Sequence, residues 1–212
     1  MLVDVSSVAV AHALATRVAG RAGVLDVVPA ARTLLVRCAD ERVAVEVESE
    51  LSSRDEPDVG STATAGSGRE VAIEVVYDGE DLPAVAAGAG LTSAEVIARH
   101  TGATYTAAFA GFAPGFVYLS GLDPVLATPR LAVPRTRVPA GSVALAADMT
   151  AVYPRSSPGG WNLLGRTRAV LFDLARPRPA LIEPGDTVRF VAMADVVADV
   201  DGVADGHGRW RA

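Results

Sequence analysis

The sequence predicts an α+β fold, in which a small α+β N-terminal domain is followed by a β-barrel domain. Three observations support this. Residues 1–47 alternate between patterns typical of strands and of a helix. Residues 52–70 are rich in Ser, Thr, Gly, Asp and Pro, as a linker is. After residue 104, short apolar runs are separated by turns that contain proline and glycine, which is typical of a closed or nearly closed barrel.

The first domain is predicted as strand, helix and three strands. Residues 2–5 form a short strand, and the apolar spacing in 7–20 indicates a helix that ends at glycine. Residues 23–29 and 33–38 are predicted to pair as strands. Apolar and polar residues alternate over 43–47, which predicts a further, half-buried strand. We therefore assign residues 1–68, linker included, to an N-terminal domain, residues 69–194 to the barrel, and residues 195–212 to an acidic, solvated tail.

The barrel domain is predicted to begin with one strand and two helices. Residues 69–77 alternate as a strand does, and residues 81–89 have helical character. Thr92 and Glu95 have the spacing of a capping box, so a second helix is expected to begin there and to end near Gly102. The remaining strands are predicted at short apolar runs: 104–109, 143–146, 151–153, 169–173 and 187–191.

Composition excludes several classes of protein. The chain of 212 residues is 50% hydrophobic and has a net charge of −6, which argues against nucleic-acid binding. No apolar run reaches the roughly 18 residues of a membrane span, and the apolar N-terminus lacks the basic region of a signal peptide, so a cytoplasmic protein is expected. All nineteen basic residues are arginine, which excludes a lysine Schiff base, lysine-bound biotin and a P-loop lysine on this chain.

The stretch GFAPGFVYLSGLD (residues 111–123) concentrates aromatic rings beside glycine and proline. Five of the eleven aromatic residues lie between 105 and 118. Phe109 and Phe116 are expected to fill the barrel core. The glycines and Pro114 are expected to bend the chain so that Phe112 and Tyr118 border a cleft.

His100 and a group of arginines are the polar candidates. His100 either caps the end of its helix or acts as a general acid or base in the cleft. The arginines of residues 128–167 either bind an anion or are surface charges: Arg130, Arg135, Arg137, Arg155 and Arg166. No Cys/His set with metal-ligand spacing is present in the sequence, and no metal site is predicted.

The two motif-bearing stretches, GFAPGFVYLSGLD and TPR…PR…VPAGSV…YP…SPGGWNLLGRT, resemble the KipI family. This is the family of the B subunit of 5-oxoprolinase and of allophanate hydrolase subunit 1. The resemblance runs from about Val24 to Phe190. It implies that the barrel is cyclophilin-like and that the chain is one subunit of an ATP-dependent 5-oxoprolinase, inactive alone, which opens 5-oxoproline to glutamate. Two further subunits are implied as partners, one KipA-like (the C subunit) and one LamB/YcsF-like (the A subunit), and the ATP site lies somewhere in the complex.

The resemblance also implies a set of site residues. His100 and Arg135 are expected to be catalytic. The residues expected to bind substrate or line the cleft are Phe112, Pro114, Gly115, Tyr118, Ser142, Tyr153, Gly159 and Trp161.

The chain departs from the family pattern in three places, two of which bear on the substrate. Val117 stands where the family has proline, and Met149 and Ala151 stand in a segment where it has Gln-Thr-Gly. The family also has a longer first strand, so the start of this chain is expected to be truncated. Two other functions stay open at this stage: a KipI-type inhibitor of a sensor histidine kinase, and half of a urea- or allophanate-linked carboxyltransferase.

Overall fold

The computed structural model describes residues 1–52 and 68–193. It confirms the α+β class: a three-stranded layer with two helices precedes a nearly closed seven-stranded sheet. Most of the predicted linker and the whole predicted acidic tail lie outside the described residues. Within the described ranges, no helix combines the length and the apolar character that crossing a membrane requires.

The N-terminal layer, residues 1–52, is an antiparallel sheet in the order β1-β3-β2 with both helices packed on it. Its elements are β1 Leu2–Asp4, α1 Val8–Val18, β2 Val24–Pro29, β3 Thr33–Cys38 and α2 Glu41–Ser52. Ser7 caps α1, because its side chain accepts a hydrogen bond from the Val10 N–H.

The predicted strand at residues 43–47 is wrong, since the segment lies inside α2. Val43 and Val47 are buried together with Leu51, which is a helical spacing, whereas Val45 is 59% exposed. The Asp40 carboxylate also accepts the Val43 N–H, as a helix cap does. Alternation at 43, 45 and 47 is therefore coincidental, and only one face of the helix is apolar.

The barrel begins with β4 Glu70–Val75 and the helices α3 Leu82–Ala89 and α4 Ser93–Gly102. The capping box predicted at Thr92 and Glu95 is present. The remaining elements are β5 Tyr105–Ala110, β6 Val117–Ser120, a 3₁₀ turn Pro124–Leu126, β7 Arg135–Val138, β8 Ser142–Ala146, β9 Met149–Val152, β10 Ser157–Gly159, β11 Asn162–Arg166 and β12 Thr187–Ala192.

Seven of these strands form one sheet in the order β11-β8-β9-β6-β5-β12-β4. Its two edges meet where Val76 and Arg166 exchange both backbone hydrogen bonds, at 2.9 and 2.8 Å. β7 and β10 form a separate two-stranded ribbon. The strand predicted at 169–173 does not form: only an isolated bridge joins Phe172 to Ala180.

Strand alternation gives the barrel two apolar surfaces. Val143 and Leu145 of β8 join an inner core with α3, α4 and the side chains of most strands. Their neighbours Ala144 and Ala146 join a second cluster on the outer face. The N-terminal layer is attached beside that face, where the His12 Nε2 is hydrogen bonded to the carbonyl oxygen of Ala108 in β5.

Candidate functional site

Two neighbouring cavities lie on the outer face of the barrel. The larger, about 410 Å³, is an open cleft lined by the β2–β3 turn of the N-terminal layer (residues 30–33) and by the barrel. The smaller, about 90 Å³, lies against the β7–β10 ribbon. Tyr118, Arg130 and Trp161 line both, so the two cavities form one cleft with these three side chains at its centre.

Small side chains of the sheet lie beneath the cleft, and one of them, Ala146, lines the larger cavity. Ala144, Ala146 and Ala151 are each at most 3% exposed and share the outer cluster with Tyr153 and Trp161. Because alternate residues of a strand face the same side, β8 and β9 can present alanine outward while they present larger residues to the core. The alanines leave room for rings to lie close to the sheet.

Phe116 is the centre of the aromatic wall. Its ring meets four others edge to face, at centroid distances of 5.0–5.8 Å: Phe112, Tyr118, Tyr153 and Trp161. Phe109 stacks on Tyr118 at 4.3 Å. Phe116 is 2% exposed and supports the wall from behind, but it belongs to the outer cluster and not to the inner core of the barrel, where the sequence predicted it. Phe109, also predicted as a core ring, is 8% exposed and lines the larger cavity.

Backbone strain is concentrated at the cleft. Among the described residues, Phe112 and Ala147 are the non-glycine positions with positive φ, at 66° and 52°. Each lines one of the cavities. Residues other than glycine rarely adopt a positive backbone φ, and those with a bulky side chain do so least readily. Phe112 nevertheless holds its ring 61% exposed at the rim.

Gly159 packs so closely against Tyr153 that no side chain fits at position 159. A Cβ atom at Gly159 would lie 2.3 Å from the Tyr153 hydroxyl oxygen. Tyr153 is 2% exposed, and burial raises the pKa of its hydroxyl above the usual range. The phenol is therefore protonated and held in a fixed position at the edge of the smaller cavity.

Arg130 is the cation at the centre of the cleft. Its guanidinium carbon lies 5.9 Å from the centroid of the Trp161 ring, within the range of a cation–π contact. No carboxylate of residues 1–52 or 68–193 forms an ion pair with it. No described residue accepts a hydrogen bond from its guanidinium either, so within these ranges its N–H groups can meet a ligand.

His100 lies inside the barrel, away from the cleft. It is fully buried and packs against the Phe190 ring at a centroid distance of 4.5 Å, with the ring planes tilted by 31°. Its Nδ1 is 2.7 Å from the Tyr77 hydroxyl and its Nε2 is 3.0 Å from the Thr150 hydroxyl. Because the Thr150 hydroxyl donates to the Ala144 carbonyl oxygen, Nε2 must carry the proton and Nδ1 must accept one from Tyr77.

This environment keeps His100 neutral. Burial lowers its pKa to about 3, since the protonated ring would lose its hydration. The ring therefore joins α4 to β9 through hydrogen bonds. The structure does not bring it to the aromatic cleft in which the sequence-based hypothesis placed it.

Arg135 supports the cleft from behind. Its guanidinium pairs with Glu80 at 2.6 Å and with Asp81 at 2.8 Å, and it reaches the Trp161 carbonyl oxygen at 3.5 Å. Asp81 also accepts the Leu163 N–H at 2.7 Å. Arg135 thus connects the β7–β10 ribbon to the start of α3, and it does not line either cavity.

The other eight expected residues divide into three groups. Five of them line the smaller cavity: Phe112, Tyr118, Tyr153, Gly159 and Trp161. Pro114 and Gly115 shape the bend, and Gly115 has a φ of 81° in close contact with Phe172. Ser142 is buried in β8 and lines neither cavity.

Sequence reasoning missed part of the larger cavity. It named Arg130 as one of five arginines but did not select it, because no local pattern distinguishes this arginine from the other four. It gave no role to Asp148 or to the turn at residues 30–33. That turn meets the barrel only through tertiary docking, for which the sequence carries no periodic signal.

Comparison with known proteins points to one family. The family model described as carboxyltransferase domain, subdomain C and D, matches residues 2–182. A protein named as the B subunit of 5-oxoprolinase from Escherichia coli O157:H7 is 40% identical over 188 residues, which cover 87% of this chain and 85% of that one. Its namesake from Haemophilus influenzae is 47% identical over 127 residues, or 58% of this chain and 60% of that one.

The crystal structure of the protein TTHA0988 has a related fold. It superposes with a TM-score of 0.72 and 37% sequence identity over 92% of this chain. The matched part is 39% of the longer TTHA0988 chain.

Proposed function

The chain belongs to the family of the carboxyltransferase domain, subdomain C and D, which includes the B subunit of 5-oxoprolinase, and from this membership we propose that it serves as that subunit in an ATP-dependent 5-oxoprolinase. The observation that carries the proposal is the 40% identity over 87% of the chain to a protein of that name. The resemblance inferred from the sequence motifs is confirmed at the level of the family. In the proposed reaction the complex opens the lactam of 5-oxoproline to give glutamate, in the cytoplasm.

The cleft supports a role in ligand binding. It is lined by rings, by two arginines without an ion-pair partner among the described residues, Arg32 and Arg130, and by a protonated phenol. Concave, mostly apolar sites with a few convergent polar groups are typical of small-molecule binding. We propose that Phe112, Tyr118, Tyr153, Gly159 and Trp161 form the substrate-facing wall.

The chain is proposed to act only with partners. One KipA-like and one LamB/YcsF-like protein would complete the active site. The chain has no lysine for a P-loop, and no glycine-rich loop precedes its described helices, so we assign none of its residues to ATP. The nucleotide would be bound elsewhere in the complex.

His100 and Arg135 are proposed here as positioning residues. His100 holds β9 through Thr150, and the neighbouring residue of that strand, Met149, lines the larger cavity. Arg135 holds the carbonyl oxygen of Trp161. Their catalytic role stays a prediction, and these contacts supply a physical reason why either substitution would reduce the activity of the complex.

Reconstitution tests the function directly. Purified chain is mixed with its KipA-like and LamB/YcsF-like partners, ATP and 5-oxoproline, and the release of glutamate and of phosphate is measured, with each protein omitted in turn. We expect glutamate only when all three proteins are present. As a matched control, Leu174→Ala, which alters a residue 80% exposed and outside the cleft, should leave the rate unchanged. Absence of glutamate with three folded proteins would disprove the proposal.

A further inference from the structure

We propose that Arg130 is the carboxylate anchor of the cleft: it binds the carboxylate of 5-oxoproline, while the planar lactam ring lies against Tyr118 and Trp161. The assignment rests on the function proposed above and adds to it the atoms that recognise the substrate. It predicts selection for a small, planar monocarboxylate.

The first support is the availability of the Arg130 guanidinium. Most arginines of the barrel that have a defined contact form an ion pair within the fold. Examples are Arg69 with Asp186 and Arg99 with Asp123. Arg130, in contrast, has no ion pair with any residue of the described ranges, and its one defined contact is with the face of Trp161. An arginine that stacks on a ring keeps the N–H groups at its edge free, and these groups match the two oxygens of a carboxylate.

The second support is position. Arg130 and Trp161 line both cavities, so a ligand held by Arg130 can occupy the larger one and still approach the Tyr153 phenol beside the smaller one. The larger cavity, at about 410 Å³, has a volume in the range of small-molecule sites, about 300–1,000 Å³. Its stacked pair of rings, Phe109 and Tyr118, gives a planar ligand a flat surface to contact.

The third support is charge. Two guanidinium groups, Arg32 and Arg130, and one carboxylate, Asp148, line the larger cavity, so its lining has a net charge of +1 in a chain of net charge −6. An acidic protein that gathers positive charge at one cleft attracts an anion to it. Asp148 lies at the tip of the β8–β9 hairpin beside the strained Ala147 and would repel a second carboxylate, so a single negative charge is favoured.

The test compares an acid with its uncharged analogue. The reconstituted complex is assayed with 5-oxoproline and with its carboxamide, for the wild-type chain and for Arg130→Gln. We expect the wild type to prefer the acid. We expect Arg130→Gln to raise the KM for 5-oxoproline at least about tenfold, because a hydrogen bond to a charged group is lost, and to bring the acid-to-amide ratio close to one. The KM for ATP should not change.

Arg168→Gln is the matched control, because Arg168 is exposed and lines neither cavity. It should keep both the KM and the acid-to-amide ratio. The melting temperature of each variant is measured to show that it folds. An unchanged KM and an unchanged ratio in Arg130→Gln would overturn the assignment while the proposed function stands.

Binding without turnover separates the two proposals. Ligand-observed NMR measures 5-oxoproline binding to the chain alone and to the complex. Binding to the wild type that is lost in Arg130→Gln supports the anchor even if no glutamate is released. If 5-oxoproline binds neither preparation, or binds the wild type and Arg130→Gln equally, the anchor is disproved.

Discussion

The inside and the outside of the barrel wall are built from the same strands but have opposite properties. Inside, His100 is hydrogen bonded to Tyr77 and Thr150, and the Thr150 hydroxyl donates to the Ala144 carbonyl oxygen. Outside, Arg130 is without an ion pair among the described residues and Phe112 is strained and exposed. The difference shows that stability and ligand binding can be divided between the two faces of one sheet, since successive residues of a strand alternate between them.

Strand β9 shows this division within two residues. Thr150 is fully buried and bonds to His100, whereas Met149 is partly exposed and lines the larger cavity. A change on one side should therefore affect stability, and a change on the other should affect the cleft. Four experiments test that division, in decreasing order of their expected effect.

The largest effect is expected from His100→Ala. The substitution opens a cavity in the core and leaves the Tyr77 hydroxyl without its acceptor, which together should lower the free energy of unfolding by about 3–5 kcal/mol. Chemical denaturation measures this. Leu174→Ala, at an exposed position, should stay within about 0.5 kcal/mol of the wild type. A His100→Ala variant as stable as the wild type would show that the inner network is dispensable.

Acid should act on the inner face through the same ring. The unfolded chain takes up a proton at His100 below its ordinary pKa of 6.5, but the folded chain does not until about pH 3. This contribution to stability is therefore complete above pH 6.5 and falls by up to about 1.4 kcal/mol per pH unit below it, or about 2.5 kcal/mol by about pH 4.5. Unfolding free energies measured at several pH values should show this slope in the wild type and lack it in His100→Gln. Equal slopes in both proteins would contradict the assignment.

A smaller effect is expected from Gly159→Ala on the outer face. The added methyl group would lie 2.3 Å from the Tyr153 hydroxyl oxygen, so the ring or the ribbon must move, at a cost of about 1–3 kcal/mol. Gly160→Ala is the control, because its methyl group would meet its nearest neighbours at 3.6 Å, an ordinary contact. We expect thermal unfolding and a rise in the KM for 5-oxoproline to distinguish the two variants. Identical behaviour would mean that Tyr153 is not held in place.

The smallest effect on stability is expected from Phe112→Gly. Glycine relieves the positive φ, which offsets the loss of contacts by a ring that is 61% exposed, so the unfolding free energy should change by less than about 1 kcal/mol. Ala147→Gly, at the other strained position, should be neutral or slightly stabilising. Differential scanning calorimetry would show this. A loss of several kcal/mol in Phe112→Gly would place this ring in the core and not at the rim.

The sequence predicted where helices and strands form better than it predicted which segments meet in the folded chain. The capping box at Thr92 and the strands at β5, β8, β9 and β12 carry their own signals in side-chain type and spacing. β6 carries no separate signal, because its residues continue the aromatic bend. The ribbon strands β7 and β10 were missed because they are short and contain Pro or Arg, with little alternation.

The site was predictable in part for the same reason. Rings beside glycine and proline marked the wall of the smaller cavity. The larger cavity needs residues 30–33 to lie beside the barrel, and the N-terminal layer is held there by a hydrogen bond between residues 96 positions apart, His12 and Ala108. His100 and Arg135 were recognised as unusual, but whether a polar side chain faces a core or a cleft depends on the register of its neighbours.

The first and last strands of the barrel lie side by side. β4 pairs in parallel with β12 over their whole length, from Glu70 with Thr187 to Val75 with Ala192. A ribosome adds about 5–20 residues per second, so β4 waits on the order of ten seconds for a partner 117 positions downstream. During that time its edge is open to other strands. We therefore expect the yield of folded protein to depend on the speed of synthesis and on chaperones more than its final stability would suggest.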